Sequence, residues 1–219
     1  MLTLSQLLFD FDTEEDSLPR LQAALMFSFW APPGMASHPS RVNVQWLALA
    51  ITIAKDLGLH QKGDVGIHNK HLAKRIWWSC VIRNVVLAFT YRRAPIVRRA
   101  DYNTDPLLLE DVLDGFRDSL VYPGLATQLV AKMFMSLADL ARRACRLLED
   151  RYCPQNGTTP LSDLPQSNLD AVLDMERFNT ELEIWRQSFL ADDLGYLNSE
   201  DGTHRPLILE RNFILILHR

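Results

Sequence analysis

A chain of 219 residues, 47% hydrophobic and 23% charged with a net charge of −4, has the profile of a soluble globular domain with one sizeable core, which excludes a disordered or fibrous protein. Its three cysteines, Cys80, Cys145 and Cys153, are too few for a disulfide framework and have no CxxC spacing, so they point to a reducing compartment without a readable metal site. The charge is unevenly spread: Arg41 to Arg99 holds eleven Lys or Arg residues against Asp56 and Asp64 alone, leaving open a nucleic-acid surface, an acidic partner, or a face balanced by the acidic remainder.

Residues 1–17 are expected to form a poorly ordered segment, in which Asp10, Asp12, Glu14, Glu15 and Asp16 stand where a secretory leader would carry basic residues. From there the apolar spacing reads as helix almost throughout. Pro19 to Trp30 is a first helix, opened by a proline in its first turn, and Ala31 to Pro39 is a proline-broken loop. Ser40 is set to cap a second helix with the stripe Val44, Leu47, Ala48, Ile51 and Ala54. Gly58 can end that helix in the left-handed conformation, with Leu59 folding back on its last turn. After a polar loop from Gln61 to His68, a third helix spans about Asn69 to Arg92, amphipathic at first and then apolar on nearly every side from Ile76 to Phe89, the pattern of a helix buried among others. Arg93 to Pro106 holds two prolines and no helical period, and is expected to cross the surface in extended form before a short turn over Leu107 to Leu113.

Two long helices follow. Pro123 to Arg151 has the stripe Leu125, Leu129, Met133, Leu137, Leu140, Ala144 and Leu147, and Ser167 to Leu190 has Ala171, Met175, Phe178, Leu182, Trp185 and Phe189. Loops fill Cys153 to Pro165, where Asn156-Gly157-Thr158 reads as a turn, and Gly195 to Arg205. Pro206 opens a last apolar helix that stops at Arg219 without a polar cap, so the chain is expected to be cut short at that end. No apolar run has membrane-spanning length and none alternates as strands do, so the expected fold is all-α, an irregular multi-helix bundle.

Several segments share an order and spacing with a known family. Val44 to His60 is an apolar helix ending in Ala54-Lys55-Asp56-Leu57-Gly58-Leu59-His60. About fifteen residues later comes Lys74-Arg75-Ile76-Trp77-Trp78-Ser79-Cys80, then Ile82-Arg83-Asn84, then Tyr91-Arg92-Arg93-Ala94-Pro95-Ile96, and at the end Ile214-Leu215-Ile216-Leu217-His218-Arg219. Together they resemble the fungal-specific transcription factor domain, the middle homology region of fungal zinc-cluster regulators, in a form similar to the cutinase-regulator subgroup. The resemblance covers Leu18 to Arg219 and implies a regulatory helical domain, a nuclear location and a role in transcription by RNA polymerase II. Asn84 stands where that pattern usually has Asp, Ala94 where it has Pro, and Arg92 where Gly is more common. The family's zinc cluster requires six paired thiolates, which three scattered cysteines cannot supply, so no cofactor is expected in this chain and DNA contact is expected only weakly or through a module outside it.

Among individual residues, Arg83 and Asn84 interrupt the apolar third helix and must find polar partners, either in an internal network with the acidic second half or as polar groups of an effector pocket with Trp78. Trp77 and Trp78, about 100° apart on a helix, should pack against different neighbours. Arg92, Arg93, Arg98 and Arg99 could contact phosphate or cap helix carbonyls. His60 reads as part of a helix stop or as a ligand contact. His68 and His71 share a helix face but have no local carboxylate or cysteine to complete a metal site, and none is expected. Nucleophile elbows, glycine-rich phosphate loops and HExxH are absent from the sequence, and Glu181 and Glu183 lie on different faces, so no enzyme is expected. The expected partners are other regions of a transcription regulator, a homologous regulator or a small-molecule effector, with no membrane. The alternative is a stand-alone helical interaction module that modulates a full-length relative.

Overall fold

The computed structural model describes residues 14–29, 39–63, 69–116, 125–153, 176–177 and 179–187. Among them the chain forms α1 (Ser17–Phe27), α2 (Pro39–Asp56), α3 (Lys70–Thr90), the short α4 (Leu109–Leu113) and α5 (Leu125–Tyr152), with single 3-10 turns at Arg99–Asp101 and Asp114–Phe116 and a further helical stretch at 179–187. No strand occurs among the described residues, and the architecture is the all-α multi-helix arrangement expected.

Helix starts are set by short polar side chains. Asp16 caps α1, its carboxylate accepting the Leu18 amide at 3.0 Å. The helix therefore opens before Pro19, which still falls in the first turn, where its missing N–H costs nothing. Asn69 caps α3 by accepting the Leu72 amide at 2.9 Å, as its place before the basic first turn suggests. Ser40, expected as the α2 cap, lies inside that helix, which begins one residue earlier at Pro39.

The C-terminal ends of α2 and α3 follow one pattern. Gly58 has φ 75°, its amide reaches the Lys55 carbonyl at 2.9 Å, and the Leu59 amide reaches the Ala54 carbonyl at 2.9 Å, which is a Schellman end with Leu59 buried beneath it. At the end of α3, Arg92 has φ 48°, its amide reaches the Phe89 carbonyl at 3.2 Å, and the Arg93 amide reaches the Ala88 carbonyl at 3.0 Å. A non-glycine residue thus holds the left-handed position.

The core centres on α3. Eleven of its 21 residues are buried, so it cannot lie on the surface. It packs against α2, α4 and α5, while α1 lies on α2. The expected stripe of α2 is in place, with Leu47, Ile51 and Ala54 buried and Val44 and Ala48 partly so.

Two expectations change. The buried face of α5 is shifted from the expected stripe. Ala144 is buried as expected and Leu137 and Leu147 pack partly buried on the core, but the buried positions are otherwise Ala131, Ala138, Ala141, Cys145 and Leu148, most of them small side chains that let another helix approach closely. Met133, Leu137 and Leu140 are only partly buried and receive Trp185 from the stretch 179–187. The segment after α3 also does more than cross the surface, since Pro95, Val97 and Leu107 are buried and tie it into the core. The rest of the expected helix from Ser167 to Leu190, the last helix from Pro206, Trp30 and residues 1–13 lie outside the described residues.

Candidate functional site

The three pocket candidates sit on α3 but face three different neighbours. Trp78 is buried, donates its indole N–H to the Asp105 carbonyl at 3.1 Å and meets Tyr102 edge-on at 6.0 Å between ring centroids. Asn84, also buried, is a clip for the segment that follows the helix. Its Oδ1 accepts the Ile96 amide at 2.7 Å and the Val97 amide at 3.3 Å, and its Nδ2 donates to the Val97 carbonyl at 2.9 Å. An asparagine suits this position because one side chain must both donate and accept, which an ionised aspartate cannot do.

Arg83 points towards α1. Its Nε donates to the Ser28 hydroxyl at 3.3 Å, its Nη2 donates to the Ser28 carbonyl, and its guanidinium lies 4.2 Å above the centre of the Phe29 ring. Ser28 is the fully buried C-cap of α1, so the cation sits at the negative end of that helix. Burial holds the Arg83 pKa below the usual guanidinium value, against an upward pull from Tyr91. The sequence suggested a carboxylate from the acidic half as its internal partner. Among the described residues Arg83 forms no ion pair and rests on a carbonyl, a hydroxyl and a ring instead.

The four arginines after α3 divide. Arg99 is engaged with Glu149 of α5: its amide donates to Oε1 at 2.6 Å and its Nε lies 3.8 Å from Oε2. The backbone amide of Arg98 donates to Asp101 at 2.9 Å, but its side chain is exposed and unpaired among the described residues, as are those of Arg92 and Arg93.

Two clusters escaped sequence reasoning. The first is a latch between the start of α3 and α4. Asp111 is 2% exposed, with His71 Nδ1 at 2.7 Å on one carboxylate oxygen and Lys74 Nζ at 3.0 Å on the other, which also accepts the Leu108 amide at 2.9 Å. Arg75 donates to the Asp111 carbonyl and reaches Asp114 at 3.5 Å, and Asn69 donates to Asp114 at 3.1 Å. Burial on its own raises the Asp111 pKa, but the Leu108 amide, His71 and Lys74 outweigh it and hold the carboxyl below the usual range. His71 is thus a carboxylate partner, while His68 lies outside the described residues.

The second is an aromatic corner. Trp77, fully buried, contacts His60 at 5.9 Å and Tyr102 at 5.6 Å between ring centroids, so the two tryptophans share Tyr102 and differ in their other neighbours. Burial, with Lys55 adding to it and Asp101 opposing it, holds His60 below its usual pKa, and burial pushes Tyr102 up to about 12. The loop over the corner is fastened by hydrogen bonds from Asn103 to the His60 carbonyl at 3.0 Å, from the Lys62 amide to Asn103 at 2.7 Å and from Thr104 to the Leu59 carbonyl at 2.9 Å. His60 therefore serves the helix stop, its ring tilted against Trp77.

None of these groups has the geometry of an activated nucleophile. Burial pushes the Cys80 thiol up to about 12 and, with Glu149 beside it, pushes Cys145 up as well, the opposite of what a reactive thiolate needs. No helix among the described residues is long and apolar enough to cross a membrane.

Comparison with known proteins places this arrangement. Over 209 residues the chain is 29% identical to a cutinase transcription factor 1 beta of Fusarium vanettenii, covering 84% of this chain and 23% of that protein. It is 30% identical over 240 residues to a transcription factor of Fusarium pseudograminearum, covering 98% of this chain and 26% of that protein. A transcription factor of Aspergillus oryzae is 24% identical over 200 residues, 84% of this chain and 33% of that protein. The chain therefore spans a quarter to a third of the length of these relatives. No solved structure matches it. The family model for the fungal specific transcription factor domain matches residues 3–187, which include α1 to α5 and the stretch 179–187, and the chain belongs to that family.

Proposed function

We propose that this chain is the regulatory domain of a fungal regulator of transcription by RNA polymerase II, acting in the nucleus through contacts with other parts of its own regulator, with a homologous regulator or with a small effector. It binds DNA only weakly itself, and sequence reading belongs to a zinc-cluster module outside these residues. It has no catalytic role. The observation that carries this reading is the family match over residues 3–187 together with the placement of α3, which ties α1, the segment after it, α4 and α5 into one unit. A central helix that packs on α2 and α5 and holds α1, the following segment and α4 through polar contacts can pass a change at one neighbour to the others, provided the bound partner favours one packing over the other.

Arg83 is the best-placed effector contact of the three candidates. Trp78 and Asn84 are spent on internal hydrogen bonds, whereas Arg83 is a half-buried cation without a carboxylate partner among the described residues. An effector carrying a carboxylate would complete it. The test tethers the chain to a DNA-binding module of known sequence and measures a reporter in a fungal host. Tethered wild-type chain is expected to change reporter output in a condition-dependent way, and Arg83→Leu to abolish that dependence with helical content and melting temperature retained. No reporter effect from the tethered wild type would sink the regulatory reading. Loss of folding in Arg83→Leu would instead make Arg83 a structural tie and withdraw it from the site.

A further inference from the structure

Nine cationic side chains of the described residues are matched to carboxylates. Lys62 meets Asp105, His71 and Lys74 meet Asp111, Arg75 meets Asp114, Arg99 meets Glu149, Arg142 and Arg143 meet Asp139, Arg146 meets Glu181, and Arg186 meets Glu183. Among the cations with no such match, three fall together in one short loop. Arg92, Arg93 and Arg98 are exposed and carry no ion pair among the described residues, and they fall within seven positions of one another. The backbone that carries them is fixed: Asn84 clips Ile96 and Val97 from inside, the Arg93 amide closes the end of α3, and Pro95 and Val97 are buried. Holding arginines on a fixed backbone removes part of the ordering cost of binding. One of the three, Arg92, is held in the left-handed region, which is unfavourable for a side chain with a Cβ.

We infer that Arg92, Arg93 and Arg98 form a preorganised docking surface for an acidic peptide segment of a partner protein. The same loop already shows the chemistry on a carboxylate within the chain. Arg99 takes Glu149 with its backbone amide at 2.6 Å and faces it with its guanidinium at 3.8 Å, and the Arg98 amide takes Asp101 at 2.9 Å. Separate carboxylates on a peptide can be met one at a time by the three free guanidinia. Nucleic acid fits less well, because Asp101 and Glu149 lie among the arginines and interrupt the continuous basic surface that a line of phosphates needs, whereas a peptide can space its carboxylates to avoid them. The inference goes beyond the regulatory reading and does not depend on an effector at Arg83.

The test measures fluorescence anisotropy of the purified full chain with two probes, a short labelled peptide of alternating glutamate and serine and a short labelled DNA duplex, over a range of sodium chloride. The wild type is expected to bind the peptide more tightly than the duplex, with affinity falling as salt rises. The triple substitution Arg92→Gln, Arg93→Gln and Arg98→Gln is expected to weaken peptide binding on the order of tenfold or more, as loss of charge-assisted hydrogen bonds does. The double substitution Arg93→Gln and Arg98→Gln, which leaves the strained helix end untouched, is expected to lose most of the same affinity, so a folding effect at Arg92 cannot imitate the result. Lys62→Gln, which removes an exposed cation already matched to Asp105, is expected to change affinity by no more than about twofold. The inference is overturned if peptide binding survives the triple substitution, if the duplex binds more tightly than the peptide, or if the wild type binds neither.

Discussion

Arg92 shows how one side chain can be both unfavourable for the fold and useful on the surface. It occupies the left-handed position that closes α3, where φ is 48° and glycine would bear no steric cost. Arg92→Gly is expected to stabilise the domain by about 1 kcal/mol, the relief from left-handed strain being partly offset by the greater freedom of glycine in the unfolded chain. Urea unfolding monitored by circular dichroism checks this, and a loss of stability would mean that the arginine makes a contact that outweighs its strain. The sequence marked Arg92 as a departure from glycine, and the backbone gives that departure its physical meaning. It also marked Asn84 and Arg83 as polar residues needing partners, since an apolar helix exposes any polar interruption. Where the partners lay was not readable, because Asn84 bonds to a segment without periodicity and Arg83 to a carbonyl, which every residue possesses.

The latch between α3 and α4 depends on a residue no pattern singled out. Asp111 has its partners 37 and 40 positions away in the chain, so nothing in the local spacing announces them. Its folded pKa lies below the ordinary carboxylate value, so its contribution to stability is fully present above that ordinary value, near 3.8, and is lost as pH falls through the lower folded value. Asp111→Asn is expected to cost about 2–3 kcal/mol at neutral pH, by stripping charge from the contacts to Lys74 and His71, and to flatten the stability curve below about pH 4. Denaturant unfolding at a series of pH values distinguishes this from a shape effect, since a variant that lost stability but kept the acid dependence would place that dependence on another carboxylate. Helix positions were more accessible to sequence reasoning than helix faces. The period of α5 was clear, but weighting leucine and methionine over alanine shifted the expected face to one side of the real one, which shares Ala144 with it and is otherwise made mainly of small side chains.

Across the molecule, the basic stretch from Arg41 to Arg99 is matched in part by the acidic remainder. Lys62, Lys74, Arg75 and Arg99 meet Asp105, Asp111, Asp114 and Glu149, all later in the chain. The uneven charge along the sequence is thus in part a record of which parts fold against each other, and it becomes informative about partners only where a charge is left over. A search for DNA-binding surface based on the linear pattern would have taken the whole stretch. The folded chain directs it to the short loop after α3, where three exposed arginines carry no ion pair among the described residues. The family resemblance was carried by helix ends, namely Leu57-Gly58-Leu59-His60 and Tyr91-Arg92-Arg93, together with the tryptophan pair, and these are the places where backbone geometry and packing restrict the residue most.

Trp185 offers an optical gauge of how firmly the last described helix is attached. Its indole N–H reaches the Ser136 carbonyl at 3.2 Å and its ring rests on Met133, Leu137 and Leu140, while Arg146 and Glu181 close the same contact from the side. The stretch 179–187 thus holds to α5 through Trp185 and Glu181 and reaches the core around Trp77 through Leu182, which is only partly buried, so its detachment is expected to disturb that core little. The part of the emission that disappears in Trp185→Phe is expected to shift to longer wavelength at a lower urea concentration than the loss of helical circular dichroism. Coincident transitions would mean instead that this helix and the core unfold as one cooperative body, and that whatever acts on one of them is felt at once by the other.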